Sequence, residues 1–261
     1  MEQNAVLQID TLSRHFGGIF AVEEVSFDVF PGETFGVIGP NGAGKTTLLN
    51  CVSGVARPNA GSVHFEGERI DRLSSRRIAS RGIARTFQIA ETFRSFTVID
   101  YVLLGRTKWR PAGLMGCALA LPGTIRADRE EVREADELLE RHGLREFRNH
   151  SIRELAYGHQ KVVDIVRALA AKPKMLLLDE PTSGSSSEER VHLREIMNDL
   201  RSEQITVVVV DHDISFISDT CSRAFAMASG RYLASGTPEE VLASPQVIES
   251  YLGGSIKDTA A

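Results

Sequence analysis

"GPNGAGKTT", residues 39–47, is the stretch that decides the fold. Gly39, Gly44, Lys45 and Thr46 fill every constrained position of a phosphate-binding pattern: glycine, four residues, glycine, lysine, then serine or threonine. An eight-residue match can arise by chance, so the flanks matter. "TFGVIG" before it runs as a buried strand, and "KTTLLNCVSGV" after it continues as a helix with Gly54 near its end. Strand, glycine loop and helix in that order aim backbone N–H groups and a helix N-terminus at phosphate oxygens. Gly39, Asn41, Gly42, Ala43, Gly44, Lys45, Thr46 and Thr47 are the expected phosphate-side residues. Among them Lys45 brings charge to the β- and γ-phosphates, and the Thr46 hydroxyl suits magnesium.

The second half of such a site lies far downstream. "KMLLLDE" (174–180) is an apolar strand ending in Asp179, placed to hold magnesium, with Glu180 beside it as a candidate base for water. "ITVVVVDHD" (205–213) is a second apolar run, separated from the first by the helical pattern "SEERVHLREIMNDLRSE". Runs of this kind indicate a parallel sheet covered on both faces.

Elsewhere the patterns change. "AVLQID" and "AVEEVSFDVF" alternate apolar and polar residues around "FGG", which predicts an antiparallel strand pair joined by a glycine turn. "GSVHFEGERI" adds another short strand region, and the arginines of "RLSSRRIASRGIART" (72–86) predict a solvated helix face from Arg72 to Arg81. Residues 97–170 are mostly helical. Val132, Ala135, Leu138 and Leu139 form an apolar stripe in a helix closed by Gly143. Near the end, a hairpin around "SGR" precedes "TPEEVL", where Thr237, Pro238 and Glu240 serve as N-cap, first turn and capping-box partner of a last helix.

Composition sets limits. The 261 residues are 42% hydrophobic and 25% charged, which suits one large globular domain with a subdomain, and no repeat points to a second nucleotide unit. A net charge of -5 gives no reason to expect nucleic acid as a partner. Cys51, Cys117 and Cys221 are too few and scattered for a disulfide framework or zinc site, so they are expected as reduced, small apolar residues. The N-terminus lacks the basic start and apolar stretch of an export signal, and "PAGLMGCALALPG" (111–123) is too short to span a bilayer. Work at a membrane would require another chain.

Five motifs now stand in order: "GPNGAGKTT", "RTFQ" with Gln88, "LAYGHQ" (155–160), "LLLDEPTSG", and "VVDHD" with His212. Together they resemble the ATP-binding subunits of ABC transporters over nearly the whole chain. The "FGG" near the start, "RTFQIAETFRSFTVIDYVLLG" and the terminal "YLGG" resemble the LivG type, whose members drive import of branched-chain amino acids or related solutes. The resemblance implies a P-loop α/β cassette spanning 1–261: a RecA-like parallel-sheet core, an N-terminal antiparallel β subdomain, and a helical subdomain at about 89–168. It implies ATP and Mg2+ as ligands, with Thr46, Gln88 and Asp179 around the metal and Lys45, Gln88, Glu180 and His212 in hydrolysis. Phe16 matches the aromatic that stacks on adenine. Gln88 matches the residue that senses magnesium and water and links the site to the permease, with 89–104 lining the groove. His212 matches the switch at the γ-phosphate. Tyr157 and Gly158 match the signature that caps a nucleotide held by a partner ATPase, the same or a related chain. Such a subunit lies peripherally on the cytoplasmic face of the inner membrane, against transmembrane permease subunits, and serves a solute-binding protein indirectly.

Two positions depart from the ABC pattern. Ala156 stands where the signature normally has serine, which removes a hydrogen bond worth about 1.5–3 kcal/mol to a charged group. Ser185 and Ser186 replace the usual leucine and Asn or Asp in the loop after Glu180, which extends through Ser187. An asymmetric pair fits both departures: the site on this chain's Lys45 fires, and the altered signature serves the partner's nucleotide. Two other functions compete. A soluble ABC protein acting on ribosomes or DNA usually carries two cassettes or a long coiled-coil insertion, and a P-loop kinase has no ready place for Gln88, Glu180 or "LAYGHQ". Urea, amides and aromatic acids remain alternative solutes.

Overall fold

The computed structural model describes residues 4–87, 89–106 and 122–257, with side chains described except at 122–128 and 252–257. In chain order the strands are β1 (Leu7–Phe16), β2 (Ile19–Val29), β3 (Thr34–Ile38), β4 (Ala60–Phe65), β5 (Glu68–Arg69), β6 (Ile83–Arg85), β7 (Met175–Asp179), β8 (Thr206–Val210), β9 (Arg223–Ala228) and β10 (Arg231–Gly236). The described helices are α1 (Lys45–Val52), α2 (Ser75–Ser80), α3 (Val98–Leu104), α4 (Pro122–Arg141), α5 (Tyr157–Ala170), α6 (Ser187–Ser202), α7 (Ile214–Thr220), α8 (Pro238–Leu242) and α9 (Pro245–Lys257). They divide into two compact units: Met1–Arg85 with Lys174–Ser183 and Arg190–Ala261, and Thr86–Pro173 with Gly184–Glu189.

The first unit contains both sheets. One is antiparallel in the order β2-β1-β4-β5, and its first hairpin turns at Gly17–Gly18, between the paired residues Phe16 and Ile19. The other runs β10-β9-β3-β8-β7-β6; it is parallel except for the β9–β10 hairpin. All five residues of β3 and of β8 are buried, as expected for strands covered on both faces. A single core joins Leu7, Val29, Val63 and Phe65 of the antiparallel sheet to Leu48, Leu49 and Val52 of α1 and to Phe35, Leu177, Val208 and Phe225 of the parallel sheet. Phe27 stacks on Phe35 with centroids 5.0 Å apart, so the aromatic pair adds to the area buried.

Parallel pairing has a direct consequence for function. Val37 is in register with Val210, and Asp179 with Val210 on the other side, so β3, β7 and β8 end at one edge of the sheet. The chain leaving β3 is the glycine loop; that leaving β7 is Glu180, and that leaving β8 is Asp211 and His212. Crevices of α/β sheets form at such carboxyl ends.

The second unit is helical: α3 and α4 pack against α5, and short 3-10 turns at 91–93, 145–147 and 152–154 link them. The expected cap at Thr237 forms, with Glu240 N donating to Thr237 Oγ1 at 3.3 Å and Thr237 N to Glu240 Oε2 at 2.9 Å. The helix it starts is not the last, because Pro245 opens α9 after it. The arginine stretch is also shorter as a helix than its pattern implies. Only 75–80 are helical, and Ile83–Arg85 form a strand with Arg85 buried. Cys51 and Cys221 are buried free thiols, pushed up by burial to about 11 and about 12. Cys117 and most of 111–123 lie outside the described residues. Among the described residues no helix is long and apolar enough to cross a membrane.

Candidate functional site

Gly44 caps α1 with φ +101°, and a Cβ there would stand 1.9 Å from the Ala21 carbonyl oxygen. Only glycine fits. The tight loop wraps around Lys45, whose Nζ donates to the Gly39 oxygen at 2.7 Å and the Pro40 oxygen at 3.0 Å. Lys45 is 5% exposed. Burial lowers its pKa, and the nearby charges of Glu180, Asp211 and Asp179 oppose that shift. Above the loop there is room: a Cβ at Gly42 would meet nothing within 4 Å. A desolvated ammonium bonded to loop carbonyls, beneath an open rim of backbone at a helix N-terminus, suits a phosphate chain.

The carboxylates at the edge are held individually. Asp179 accepts from Arg85 Nη2 at 2.9 Å through Oδ2 and from Thr46 Oγ1 at 3.4 Å through Oδ1. Arg85 Nη1 also donates to Asn50 Oδ1 and Ser53 Oγ, both at 2.8 Å. Glu180 follows with φ +49°, its N–H donating to the Val210 oxygen at 2.8 Å. A non-glycine residue in that region is strained and concentrates at functional sites. Just after the next strand, β8, Asp211 is fully buried and accepts from Thr182 Oγ1 at 2.8 Å, Thr182 N at 3.0 Å and His212 N at 2.7 Å. These bonds tie the loop after Glu180 to the turn that carries His212, whose side chain is half exposed.

The other expected site residues are more scattered. Phe16 ends β1, exposed, with the Arg14 guanidinium 4.4 Å over its ring. Gln88 lies outside the described residues. Tyr157 and Gly158 begin α5 in the helical unit; Tyr157 is 42% exposed and Ala156 is the N-cap residue, with no side-chain bond. Gly158 permits a close approach, since a Cβ there would stand 1.9 Å from the Glu189 carboxyl carbon. Glu189 in turn accepts from Ser186 N at 2.8 Å, so the serine-rich loop and the start of α5 pack together within one unit. Phe87, Ile89, Arg94, Tyr157, Gln160, Lys161 and Asp164 line a cleft in that unit.

Sequence patterns alone missed three residues. Arg85 stands in the basic stretch 72–86, while Asp211 and Asp164 carry no assigned role in any motif. Asp164 is in fact buried, accepting from Phe87 N at 2.6 Å, Tyr101 Oη at 2.8 Å and Arg167 Nε at 2.7 Å. The available signal was a charge placed at the end of, or inside, an apolar run.

Residues 22–183 match the family model of ABC transporters. The chain belongs to the ABC transporter family. Residues 233–256 further match a model described as a branched-chain amino acid ATP-binding cassette transporter. The cassette is 36% identical over 249 residues to the high-affinity branched-chain amino acid transport ATP-binding protein LivG of Escherichia coli K12, covering 95% of this chain and 98% of that protein. Among solved structures it resembles a nucleotide-free ATP-binding cassette from an ABC transporter, with TM-score 0.85, 28% identity, and coverage of 95% and 99%. It also resembles the ADP conformation of such a cassette, with TM-score 0.82, 29% identity, and coverage of 96% and 99%. The expected α/β fold, the family and its ATPase activity coupled to transport therefore stand.

Proposed function

We propose that this cassette hydrolyses ATP to drive uptake of branched-chain amino acids or a chemically related small solute. The observation that carries the site reading is the convergence at one sheet edge of Lys45, the Thr46–Asp179 pair, Glu180 and His212. The likeness to LivG over nearly the full length supports the solute class.

In this reading Gly39, Asn41, Gly42, Ala43 and Gly44 wrap the triphosphate with backbone N–H groups, Lys45 and Thr47 hold it, and Phe16 stacks on the adenine. Thr46 Oγ1 and Asp179 Oδ1 are hard oxygen donors 3.4 Å apart, the ligand type that Mg2+ takes alongside phosphate oxygens and water. When bound, the metal neutralises charge on the β- and γ-oxygens. Glu180 orients water and accepts its proton, Gln88 completes the metal and water contacts, and His212 touches the γ-phosphate side from the turn fixed by Asp211. Tyr157 and Gly158 face the nucleotide of a second ATPase subunit. The charge of ATP favours the closed pair, and its cleavage removes that preference.

The partners are transmembrane permease subunits, a second ATPase and, indirectly, a solute-binding protein, with the cassette peripheral on the cytoplasmic face of the inner membrane. The expected permease contact is the groove lined by 89–104 in the helical subdomain at about 89–168; Ile89 and Arg94 of that segment line a cleft together with Phe87 and Lys161. The test is reconstitution with the permease and binding protein in proteoliposomes. Leucine, isoleucine or valine should raise ATP hydrolysis several-fold with uptake of the same solute. Stimulation by urea, amides or aromatic acids instead would replace the solute class, and no stimulation by any of them would end the importer reading.

A further inference from the structure

We infer that Arg85 is a positioning residue for the divalent cation: it fixes the Asp179 carboxylate so that its second oxygen stays against Thr46. The inference rests on the reading of Thr46 and Asp179 as the metal side of the site.

The geometry forms a closed circuit. α1 begins at Lys45 and Thr46 and ends at Val52, with Ser53 as its C-cap. At the far end, Ser53 Oγ donates to Leu49 O at 2.7 Å, which leaves its lone pairs to accept from Arg85 Nη1 at 2.8 Å. Asn50 Oδ1 accepts from the same nitrogen at 2.8 Å. The other arm of the guanidinium, Nη2, reaches Asp179 Oδ2 at 2.9 Å, and Asp179 Oδ1 returns to the start of α1 at Thr46 Oγ1. One planar group thus spaces the end of β7 from α1, and the two ligand oxygens sit at opposite ends of the path it braces. The arginine side chain is 5% exposed, so its orientation is set by these partners and by packing rather than by water.

Two physical effects compete here. A guanidinium beside Asp179 reduces the attraction of that carboxylate for a cation, and by charge alone removing it would tighten metal binding. The same guanidinium prevents the carboxylate from rotating away, and loss of such outer contacts typically weakens metal affinity about ten- to a hundredfold. A charged group held by three side chains from two elements is a device for orientation, and a lysine cannot reproduce its fork.

The experiment measures ADP binding by calorimetry with and without Mg2+, together with Mn2+ binding to the ADP complex by electron paramagnetic resonance. Neither readout requires hydrolysis. Wild type should bind ADP more tightly with Mg2+. Arg85→Gln should keep the metal-free ADP affinity within about twofold and weaken Mg2+ and Mn2+ by about tenfold or more. Arg85→Lys, which keeps the charge and loses the fork, should weaken them as well. The double variant Asn50→Ala with Ser53→Ala leaves the Arg85–Asp179 pair in place and should give a smaller loss in the same direction; it also keeps the test alive if Arg85→Gln fails to fold. Unchanged or tighter metal binding in Arg85→Gln, or in the double variant if it stands alone, would overturn the inference. A wild type whose ADP affinity ignores Mg2+ would instead sink the reading of Thr46 and Asp179 as the metal side.

Discussion

The sheet edge of the first unit and the start of α5 in the second handle their polar groups in opposite ways. At the edge, Lys45 is nearly sealed and bonded to its own loop, and Asp211 is fully buried with donors from Thr182 and His212. At the start of α5, Ala156 offers no side-chain cap and Tyr157 stands 42% exposed. Seven residues along the same helix, Asp164 is buried and accepts three hydrogen bonds. The first region is finished by its own chain, whereas the second is anchored at the back and left open at the front. That difference fits the proposed site shared between two subunits, and it can be attacked from either side.

The largest effect should come from the sealed region. Lys45→Ala removes the buried cation and should lower hydrolysis about a thousandfold while abolishing measurable ADP binding by the isolated chain; retained binding in calorimetry would show that the loop does not depend on it. Tyr157→Asp places a negative charge at the exposed first residue of α5. It should reduce hydrolysis by the assembled transporter about a hundredfold and leave nucleotide affinity of the isolated chain within about twofold. A loss of affinity in the isolated chain would erase the contrast between the two regions.

Smaller effects test the anchoring. Asp164→Ala removes the buried acceptor shared by Tyr101 Oη, Arg167 Nε and the Phe87 N–H and should lower the unfolding free energy by about 3 kcal/mol in urea titrations. Ala156→Ser restores the hydroxyl that the ABC pattern carries and should raise the hydrolysis rate of the assembled transporter up to about tenfold. An unchanged rate would end the idea of an asymmetric pair. Thr237→Ala breaks an exposed capping box and should cost about 1 kcal/mol in thermal stability without changing hydrolysis.

What could be read in advance was local. The glycine loop announces itself because its spacing, its preceding strand and its following helix are contiguous, and the cap at Thr237 because its partner Glu240 is three residues away. The contacts that escaped link residues far apart in the chain. Arg85 meets Asp179 across 94 positions and Tyr101 meets Asp164 across 63, and neither pairing leaves a periodic trace. The basic stretch before Arg85 suggested solvent, yet a strand of only three residues carries its last member into the interior. Likewise, nothing in "GSSSEE" indicates that Gly184–Glu189 groups with the helical unit, because the packing of Glu189 against Gly158 depends on the folded chain.

Glu180 sits at φ +49°, a conformation that glycine adopts freely and that holds a glutamate at a penalty on the order of 1 kcal/mol. Drift at this codon therefore has a downhill direction: Glu180→Gly relaxes the backbone and removes the carboxylate in one step. A screen that rewarded only heat tolerance would keep such a variant and discard its parent. Selection for turnover has to act continuously on this residue, and a cassette retained only for its fold should lose it early.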